Sequence, residues 1–311
     1  MHDLKPAEQP TIYFFGVTTG QSSINRIFPL WARELGLHDA CLVGLDFPLQ
    51  DAPERYRAAV EFIKHDPLSR GALVTSHKLD VVRAAGELFD GFDEFGTIMS
   101  EVSCIYKRDG RLYGAAKDAV TSRLALSSFV PDRHWATPGR EALLLGAGGA
   151  SVACMWTLAH PDRGPHRPAR IVVTDIDSNR LEHLRAIHGR IESAPPLEDR
   201  LVEPGAPADE ILARMKPDSL IVNATGMGKD RPGSPIGDRA DWPERARVWE
   251  LNYRGERRFM HQAREQGLEV EDGWNYFLYG WTGVIADVFD IEIPASGPLF
   301  ETLSEIGTAS R

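Results

Sequence analysis

The sequence has few cysteines, no clustered basic residues and no apolar leader. Cys41, Cys104 and Cys154 form neither a disulfide framework nor a metal-ligand spacing, so we expect reduced, mostly buried thiols and no metal site. The formal net charge of −10 argues against nucleic acid as a partner. Residues 1–10 are polar and lack the apolar segment of a signal peptide, so we expect a cytoplasmic protein without a membrane partner.

One stretch, residues 142–159, carries no charge over eighteen positions, which is long enough to suggest a transmembrane helix. Glycines in its middle argue against that, because they weaken a helix but suit a turn that needs a positive φ. The stretch therefore predicts a buried strand, a turn and a helix whose first N–H groups bind a pyrophosphate. The alternative is a turn without a ligand. The candidate dinucleotide-binding residues are Gly146, Ala147, Gly148, Gly149 and Ala150.

A short β-branched run at residues 170–175 follows and ends on a carboxylate. Asp175 lies 29 residues after Gly146. An acid there accepts hydrogen bonds from the ribose hydroxyls and repels a 2′-phosphate, so it favours NAD, with NADP possible. The alternative is an acid that caps the next helix, a role also open to Asp177 and Ser178.

The length and the order of elements indicate the fold class. A chain of 311 residues is long enough for two domains. Strands and helices alternate along it, as in parallel sheets. We predict an α/β protein of two domains, both with mainly parallel sheets, in which the glycine turn belongs to a Rossmann-type NAD(P)-binding domain. Asn223, Ala224 and Thr225 end a predicted strand in small residues, as expected where the backbone passes the nicotinamide half of a cofactor.

Polar residues follow two predicted strands of the N-terminal part. Ser22 and Ser23 come after the strand at 11–18, where they contact a polar substrate or cap the next helix. Lys78 comes after the strand at 71–75 and transfers a proton if burial lowers its pKa, the alternative being a solvated charge. We expect neighbouring His77 to be structural. Asp118 opens a predicted helix, where an acid also serves as a cap or first-turn residue.

The order of these motifs resembles the shikimate/quinate dehydrogenase family over nearly the whole chain. The resemblance implies a substrate-binding and catalytic domain of residues 1–125 with 274–311, and an inserted Rossmann domain of residues 126–273. The matching motifs are Gly16 with Ser22, Ser23 and residues 25–28; residues 74–78; residues 109–114 followed by Asp118; residues 145–150; residues 223–225; and Asp272 with Gly273.

The resemblance also implies the chemistry. Enzymes of this family transfer hydride between nicotinamide and a ring hydroxyl or ketone of a small cyclic acid, and one of their roles is aromatic amino acid biosynthesis. Lys78 and Asp118 stand at the family's proton-transfer pair: Lys78 would shuttle the hydroxyl proton, while Asp118 orients it and binds a neighbouring hydroxyl. Thr75 and Ser103 stand at substrate positions and Gly273 at a cofactor position. A monomer or homodimer is expected.

The chain departs from the family pattern at Ser76, Ser103, Lys117 and Gly280, where the family has proline, asparagine, threonine and glutamine. A lost hydrogen-bonding partner costs orders of magnitude in specificity. We therefore hypothesise that the proton-transfer pair survives in a rebuilt substrate pocket. For Lys117 we expect exposure to solvent rather than binding of a substrate carboxylate.

Three aromatic residues near Gly280 are candidates to fill the rebuilt pocket, with Tyr276 as the substrate-binding choice; the alternative is helix core. They are Trp274, Tyr276 and Tyr279. Two other functions stay open, a family member with a different hydroxy acid or alcohol, and a non-catalytic NAD-binding regulatory protein. Retention of both Lys78 and Asp118 argues against the second.

Overall fold

The computed structural model describes residues 4–229 and 231–311. The chain forms two compact units, the first from residues up to Lys117 together with Leu278–Arg311, the second from Asp118–Phe277. The sequence-based expectation set these borders at residues 125 and 273. Each unit contains a six-stranded sheet with helices, so the predicted α/β fold class is confirmed.

The strands and helices alternate along most of the chain. The strands are β1 (Thr11–Gly16), β2 (Cys41–Asp46), β3 (Ser69–Val74), β4 (Gly91–Phe92), β5 (Cys104–Arg108), β6 (Arg111–Ala115), β7 (Ala142–Leu145), β8 (Ile171–Asp175), β9 (Leu197–Leu201), β10 (Leu220–Asn223), β11 (Arg247–Glu250) and β12 (Glu269–Glu271). The helices are α1 (Ile24–Glu34), α2 (Pro53–His65), α3 (Lys78–Ala85), α4 (Glu94–Met99), α5 (Asp118–Phe129), α6 (Gly149–Ala159), α7 (Ser178–His188), α8 (Asp209–Leu212), α9 (Arg258–Glu265), α10 (Trp274–Phe289) and α11 (Pro298–Ala309).

The sheet of the first unit has the order β2-β1-β3-β5-β6-β4. Strand β1 pairs in parallel with β2 and β3, and all six of its residues are buried, as expected for a strand covered on both faces. Strands β5 and β6 form an antiparallel hairpin that turns at Asp109 and Gly110, both with positive φ.

The last two helices complete the core of the first unit. The indole Nε1 of Trp31 on α1 donates to the carbonyl oxygen of Leu303 on α11 at 2.7 Å. Phe14 of β1 packs edge-on against Trp281 of α10, with ring centroids 5.2 Å apart. The core of this unit therefore depends on both ends of the described chain.

The sheet of the second unit is parallel throughout, with the order β12-β11-β10-β7-β8-β9. From β7 the chain proceeds to β8 and β9 on one side and then returns to add β10, β11 and β12 on the other. The strand order thus reverses between β7 and β10. In open α/β sheets the crevice outside the carboxyl ends of two such strands is where ligands bind.

Strands β9 and β4 were not predicted from the sequence, because one is polar and the other is very short. Strand β9 has the sequence Leu-Glu-Asp-Arg-Leu and lies at the edge of its sheet, partly exposed, so it lacks the apolar pattern by which strands are recognised. It is held by pairing with β8 and by the ion pair between Asp199 and Arg185 on α7, at 2.6 Å. Strand β4 has only two residues. Within the described ranges, no helix is long and apolar enough to cross a membrane.

Candidate active site

The glycine turn of the second unit connects β7 to α6 at the point where the strand order reverses. Gly146 has a φ of +97°, and a Cβ added there would lie 2.9 Å from the carbonyl oxygen of Ala224 and 3.1 Å from the amide nitrogen of Thr225. A side chain would therefore both strain the backbone and separate the loops that follow β7 and β10. This explains why glycine stands at the first position of the turn.

The N-terminus of α6 has the features of a phosphate site. Gly148 is the N-cap residue and supplies no side-chain hydrogen bond, and the first turn of the helix contains no acid. A Cβ added at Gly148 would meet no atom within 4 Å, so space is open in front of the helix. Uncapped N–H groups and the helix dipole together attract an anion. The residues present fit the pyrophosphate of a dinucleotide.

Asp175 joins the end of β8 to the glycine turn. Its carboxylate accepts from the amide of Ala147 at 2.6 Å and from the amide of Asp177 at 2.9 Å, and the residue is buried. Asp177 is the N-cap of α7, where it accepts from the amide of Asn179 at 2.9 Å. Of the two roles considered for Asp175, helix capping thus belongs to Asp177. The ribose role of Asp175 stays a prediction.

Asn223 directs its side chain into the protein rather than toward solvent. Its Nδ2 donates to Glu250 Oε2 at 2.8 Å, while its Oδ1 accepts from the amide and the hydroxyl of Thr225 at 3.1 and 2.7 Å. Asn223 is fully buried, so its hydrogen bonds hold the loop after β10 from the protein interior. The surface of that loop is formed by Ala224 and Thr225, which are half-buried.

Two residues of this network, Glu250 and Asn252, were missed from the sequence. Glu250 ends β11 and accepts from the amide of Asn252 at 2.9 Å, while Asn252 Nδ2 donates to the carbonyl oxygen of Met227 at 2.9 Å. The loop of residues 223–228 is therefore held from two neighbouring strands. The available signal was a carboxylate that directly follows the apolar residues Val248 and Trp249 at the end of a short strand.

Glu250 predicts a pH dependence of stability. Burial raises its pKa to about 7, although hydrogen bonds from Asn252 and Asn223 oppose the shift. The folded protein therefore retains a proton that an unfolded glutamic acid has lost, so this stabilisation is complete below pH ~4.5 and is lost as the pH rises to about 7. We expect the free energy of unfolding to fall by about 3 kcal/mol more over this range in wild type than in Glu250→Gln, measured by denaturant titration.

The control for this prediction is Glu210→Gln. Glu210 lies on α8 with its side chain 91% exposed. We expect this variant to retain the pH dependence of wild type. If the free energy of unfolding changes equally with pH in wild type and in Glu250→Gln, Glu250 does not titrate in this range.

Gly273 precedes α10, where the backbone packs closely. A Cβ added there would lie 2.0 Å from the carbonyl oxygen of Leu251, so the packing itself explains this glycine, and its predicted cofactor contact stays a prediction. The aromatic residues that follow have separate environments. Trp274 is buried and stacks on Phe277, with ring centroids 4.9 Å apart, which agrees with the helix-core alternative. Tyr279 and Phe300 both belong to the first unit, where their rings stack with centroids 4.7 Å apart.

Tyr276 has a different partner. Its phenol oxygen donates a hydrogen bond to Oδ1 of Asp118, the buried first residue of α5. The second unit therefore brings together two of the predicted site residues that are 158 positions apart in the chain. An acid in the first turn of a helix is stabilised as its carboxylate by the helix dipole.

In the first unit, four candidate positions lie at one edge of the sheet. Thr75 and Lys78 follow the carboxyl end of β3, and Ser103 precedes β5, which runs antiparallel to β3. The amide of Lys117 donates to the Ser103 hydroxyl at 2.8 Å, and the carbonyl oxygen of Lys78 accepts from the amide of Val102 at 3.3 Å. The Thr75 hydroxyl donates to the carbonyl oxygen of Phe15 at 2.9 Å.

The expectation that Lys117 faces solvent is wrong. Its ammonium forms an ion pair with Asp287 on α10 at 2.5 Å, and its side chain is 28% exposed. Burial opposes the charge, but the hydrogen bond and the charge of Asp287 outweigh it and raise the pKa of Lys117. Cys104 lies beside the same carboxylate, with Sγ 4.0 Å from Oδ2, and burial raises the pKa of its thiol, so an unreactive thiol is expected.

The serines after β1 are buried beside the start of α1. Ser22 Oγ accepts from the amide of Ile24 at 3.4 Å. Ser23 is the N-cap residue, yet its hydroxyl makes no capping bond, so capping does not explain that serine. His77 is fully buried and its Nδ1 hydrogen bonds with the phenol of Tyr56 at 2.8 Å, in agreement with a structural role. Among the residues with assigned positions, no cluster of three or more His, Cys, Asp or Glu is placed to hold a metal ion.

The chain is similar in sequence to several shikimate dehydrogenases. The chain is 31% identical over 175 residues to a shikimate dehydrogenase (NADP(+)) of Symbiobacterium thermophilum, and this match spans 55% of either chain. It is 27% identical over 284 residues to the shikimate dehydrogenase (NADP(+)) of Brucella ovis, a match that covers 90% of this chain and 88% of the relative. No family model matches the sequence.

Solved structures with the same fold cover nearly the whole chain. Shikimate dehydrogenase from Aquifex aeolicus superposes with a TM-score of 0.71 at 20% identity, over 96% of this chain and 99% of that one. Quinate dehydrogenase from Corynebacterium glutamicum in complex with NAD gives a TM-score of 0.69 at 18% identity, over 97% and 99%.

The relatives are thus dehydrogenases that act on a CH–OH group, and the solved shikimate and quinate dehydrogenases share the fold of this chain. In sequence and in fold the chain is therefore similar to the shikimate/quinate dehydrogenase family, so the resemblance inferred from its motifs is confirmed.

Proposed function

We propose that this protein transfers hydride between a nicotinamide dinucleotide and a ring hydroxyl or ketone of a small hydroxylated cyclic acid similar to shikimate or quinate. The observation that carries the proposal is the uncapped N-terminus of α6 beside Asp175, at the reversal of strand order in the second unit. The names of the sequence relatives support the substrate class. The same relationship supports a place in aromatic amino acid biosynthesis.

The chain supplies the proton chemistry. The bound nicotinamide would donate or accept the hydride at its C4 position. During oxidation Lys78, as a neutral amine, takes the proton from the substrate hydroxyl, and during reduction its ammonium form returns that proton. Asp118 accepts a hydrogen bond from that hydroxyl and from its neighbour, and so fixes the ring. Both roles rest on the motif positions and on the placement of each residue at the start of a helix.

For the cofactor we propose NAD as the preferred form. The relatives' names carry NADP(+), which points the other way. In this chain, however, Asp175 and Asp177 stand together beside the glycine turn, and a 2′-phosphate there would face two carboxylates.

Asp175→Asn is expected to shift the ratio of kcat/KM for NADP over NAD by about tenfold toward NADP, equivalent to ~1.4 kcal/mol. Asparagine retains an acceptor for the Ala147 amide, so the turn keeps its shape while the charge is lost. Steady-state kinetics with both cofactors measure this ratio. The control Asp177→Asn preserves the cap of α7 and should change the ratio less. A wild type that already prefers NADP would contradict the role of Asp175.

A second candidate is a dehydrogenase of the same family with a different hydroxy acid or alcohol as substrate. It is favoured by the environment of Ser103 and Lys117, since the serine hydroxyl accepts from the Lys117 amide and the lysine ammonium is paired with Asp287. Neither side chain offers the contacts of the asparagine and threonine that the family pattern has there.

The test is a reduction assay with NAD and NADP over a panel that includes shikimate, quinate and other ring hydroxy acids. Turnover of shikimate or quinate supports the first candidate, and turnover of another member alone supports the second. No turnover of any substrate, together with measurable NAD binding, would overturn both and support a non-catalytic NAD-binding protein.

A further inference from the structure

The hydrogen bond between Tyr276 and Asp118 links the first turn of α10 to the first residue of α5. Neither the family motifs nor the proposed function assigns a role to this pair. Tyr276 was expected to contact substrate, but its hydroxyl proton is directed to the carboxylate of Asp118. Within the second unit, the phenol therefore hydrogen bonds to Asp118, a residue to which the proposed function gives a role in substrate binding.

The tyrosine ring is held in place by its surroundings. The ring of Trp249, which is 1% exposed at the end of β11, contacts Tyr276 edge-on at 5.9 Å and also packs against Phe129 on α5 at 5.8 Å. Aromatic pairs prefer edge-to-face or offset-stacked arrangements, so the contact with Trp249 favours one orientation of the Tyr276 ring. The phenol oxygen is fixed by packing rather than by its hydrogen bond alone.

The first turn of α10 is also fixed at its start. The amide of Trp274 donates to Asp272 at 2.9 Å, and the side chain of Asn275 donates to Glu271 at 3.0 Å and to the hydroxyl of Ser128 on α5 at 3.3 Å. Helices α5 and α10 are thus connected at two points, through Asn275 and through Tyr276. The distance between the phenol and the carboxylate is set by backbone elements.

A carboxylate that must orient a substrate hydroxyl needs one rotamer and a negative charge. A donor to one carboxylate oxygen restricts rotation of the group and favours its ionised form. Tyr276 supplies this donor to Oδ1 from a fixed position. Misplacement of a catalytic group by about 1 Å can cost two orders of magnitude in rate.

We propose that Tyr276 is a positioning residue that holds Asp118 in the orientation and charge state required for substrate binding and turnover. This inference rests on the proposed function, because it presumes that Asp118 acts on the substrate. It replaces direct substrate contact as the role of Tyr276.

The test compares Tyr276→Phe, Asp118→Asn and the double variant. Tyr276→Phe keeps the ring contact with Trp249 and removes only the hydroxyl. We expect kcat to fall about tenfold while the dissociation constant for NAD is unchanged, and the acidic limb of the kcat/KM profile to move up by about one pH unit. In the Asp118→Asn background, Tyr276→Phe should lower kcat by less than about twofold, since its effect passes through the carboxylate.

The matched control is Tyr279→Phe, which removes a phenol three residues further along α10 that stacks on Phe300. Its pH profile should equal that of wild type. If Tyr276→Phe raises only KM for the ring substrate and leaves the pH profile in place, Tyr276 contacts substrate directly and the inference is wrong. Equal losses in both backgrounds would also overturn it.

A second measurement separates this inference from the proposed function. In thermal unfolding, the loss in the double variant should be smaller than the sum of the two single losses, which detects the hydrogen bond without any substrate. Coupling in unfolding combined with no wild-type turnover would overturn the proposed function, and the positioning role with it. Turnover in wild type without coupling of any kind would overturn the positioning role alone.

Discussion

Lys78→Ala is expected to lower kcat by about 10²- to 10⁴-fold while NAD binds as in wild type. The substitution removes the amino group that we propose exchanges the substrate proton. The variant retains the hydrogen bond from the amide of Val102, because its acceptor is the backbone carbonyl oxygen of residue 78. In addition, a lysine at the first position of α3 is unfavourable for the helix dipole, and alanine is not.

Two further variants make this result specific. Lys78→Arg retains the positive charge but does not release a proton near neutral pH, so it should be as impaired as alanine. The matched control is Lys64→Ala on α2, which removes an ammonium that pairs with Asp90 at 3.3 Å in the same unit. That variant should retain kcat. Undiminished turnover of Lys78→Ala, measured by NADH formation, would exclude the proposed proton transfer.

Gly148→Asp is expected to weaken NAD binding by about 100-fold or more without loss of stability. Aspartate is a favourable N-cap, so its carboxylate should satisfy the first N–H groups of α6, which have no side-chain cap in the wild type. The same carboxylate would occupy the open space in front of the helix and repel a pyrophosphate. Like charges ~4 Å apart near a protein surface repel by several kcal/mol.

Gly148→Asn is the control for this effect. Asparagine has nearly the same shape and caps a helix as well as aspartate, but it has no charge. We expect a smaller loss of NAD affinity in this variant, measured by calorimetric titration, and melting temperatures for both variants at or slightly above that of wild type. Binding of NAD to Gly148→Asp with wild-type affinity would show that the cofactor does not use this helix.

Features set by a few neighbouring residues could be predicted from the sequence. The turn at Gly146 needs a positive φ and close backbone contact, and only glycine satisfies both. The position of the turn could therefore be predicted from the glycines in residues 142–159 alone. Buried apolar strands such as β7 and β8 also stand out, because parallel strands covered on both faces contain few polar residues.

Pairs that depend on strand order could not be predicted in the same way. Asn223 and Glu250 are direct neighbours in the parallel ladder of β10 and β11, although 27 residues separate them. A single sequence does not state which strands are adjacent. The ion pair of Lys117 with Asp287 was missed for a related reason, since a helix near the end of the described chain supplies the carboxylate. From the sequence alone, a lysine that forms an ion pair cannot be distinguished from one that faces solvent, because the fold determines which carboxylate lies beside it.

The discontinuity of the first unit has a consequence for folding during synthesis. Trp31 and Phe14 emerge early from the ribosome, yet their partners Leu303 and Trp281 are made more than two hundred residues later. The second unit is contiguous and can close its sheet as soon as β12 is available. Apolar side chains of the first unit therefore remain exposed while the second unit is synthesised and folds. Chaperone demand should accordingly concentrate on the nascent N-terminal half, before α10 and α11 are released.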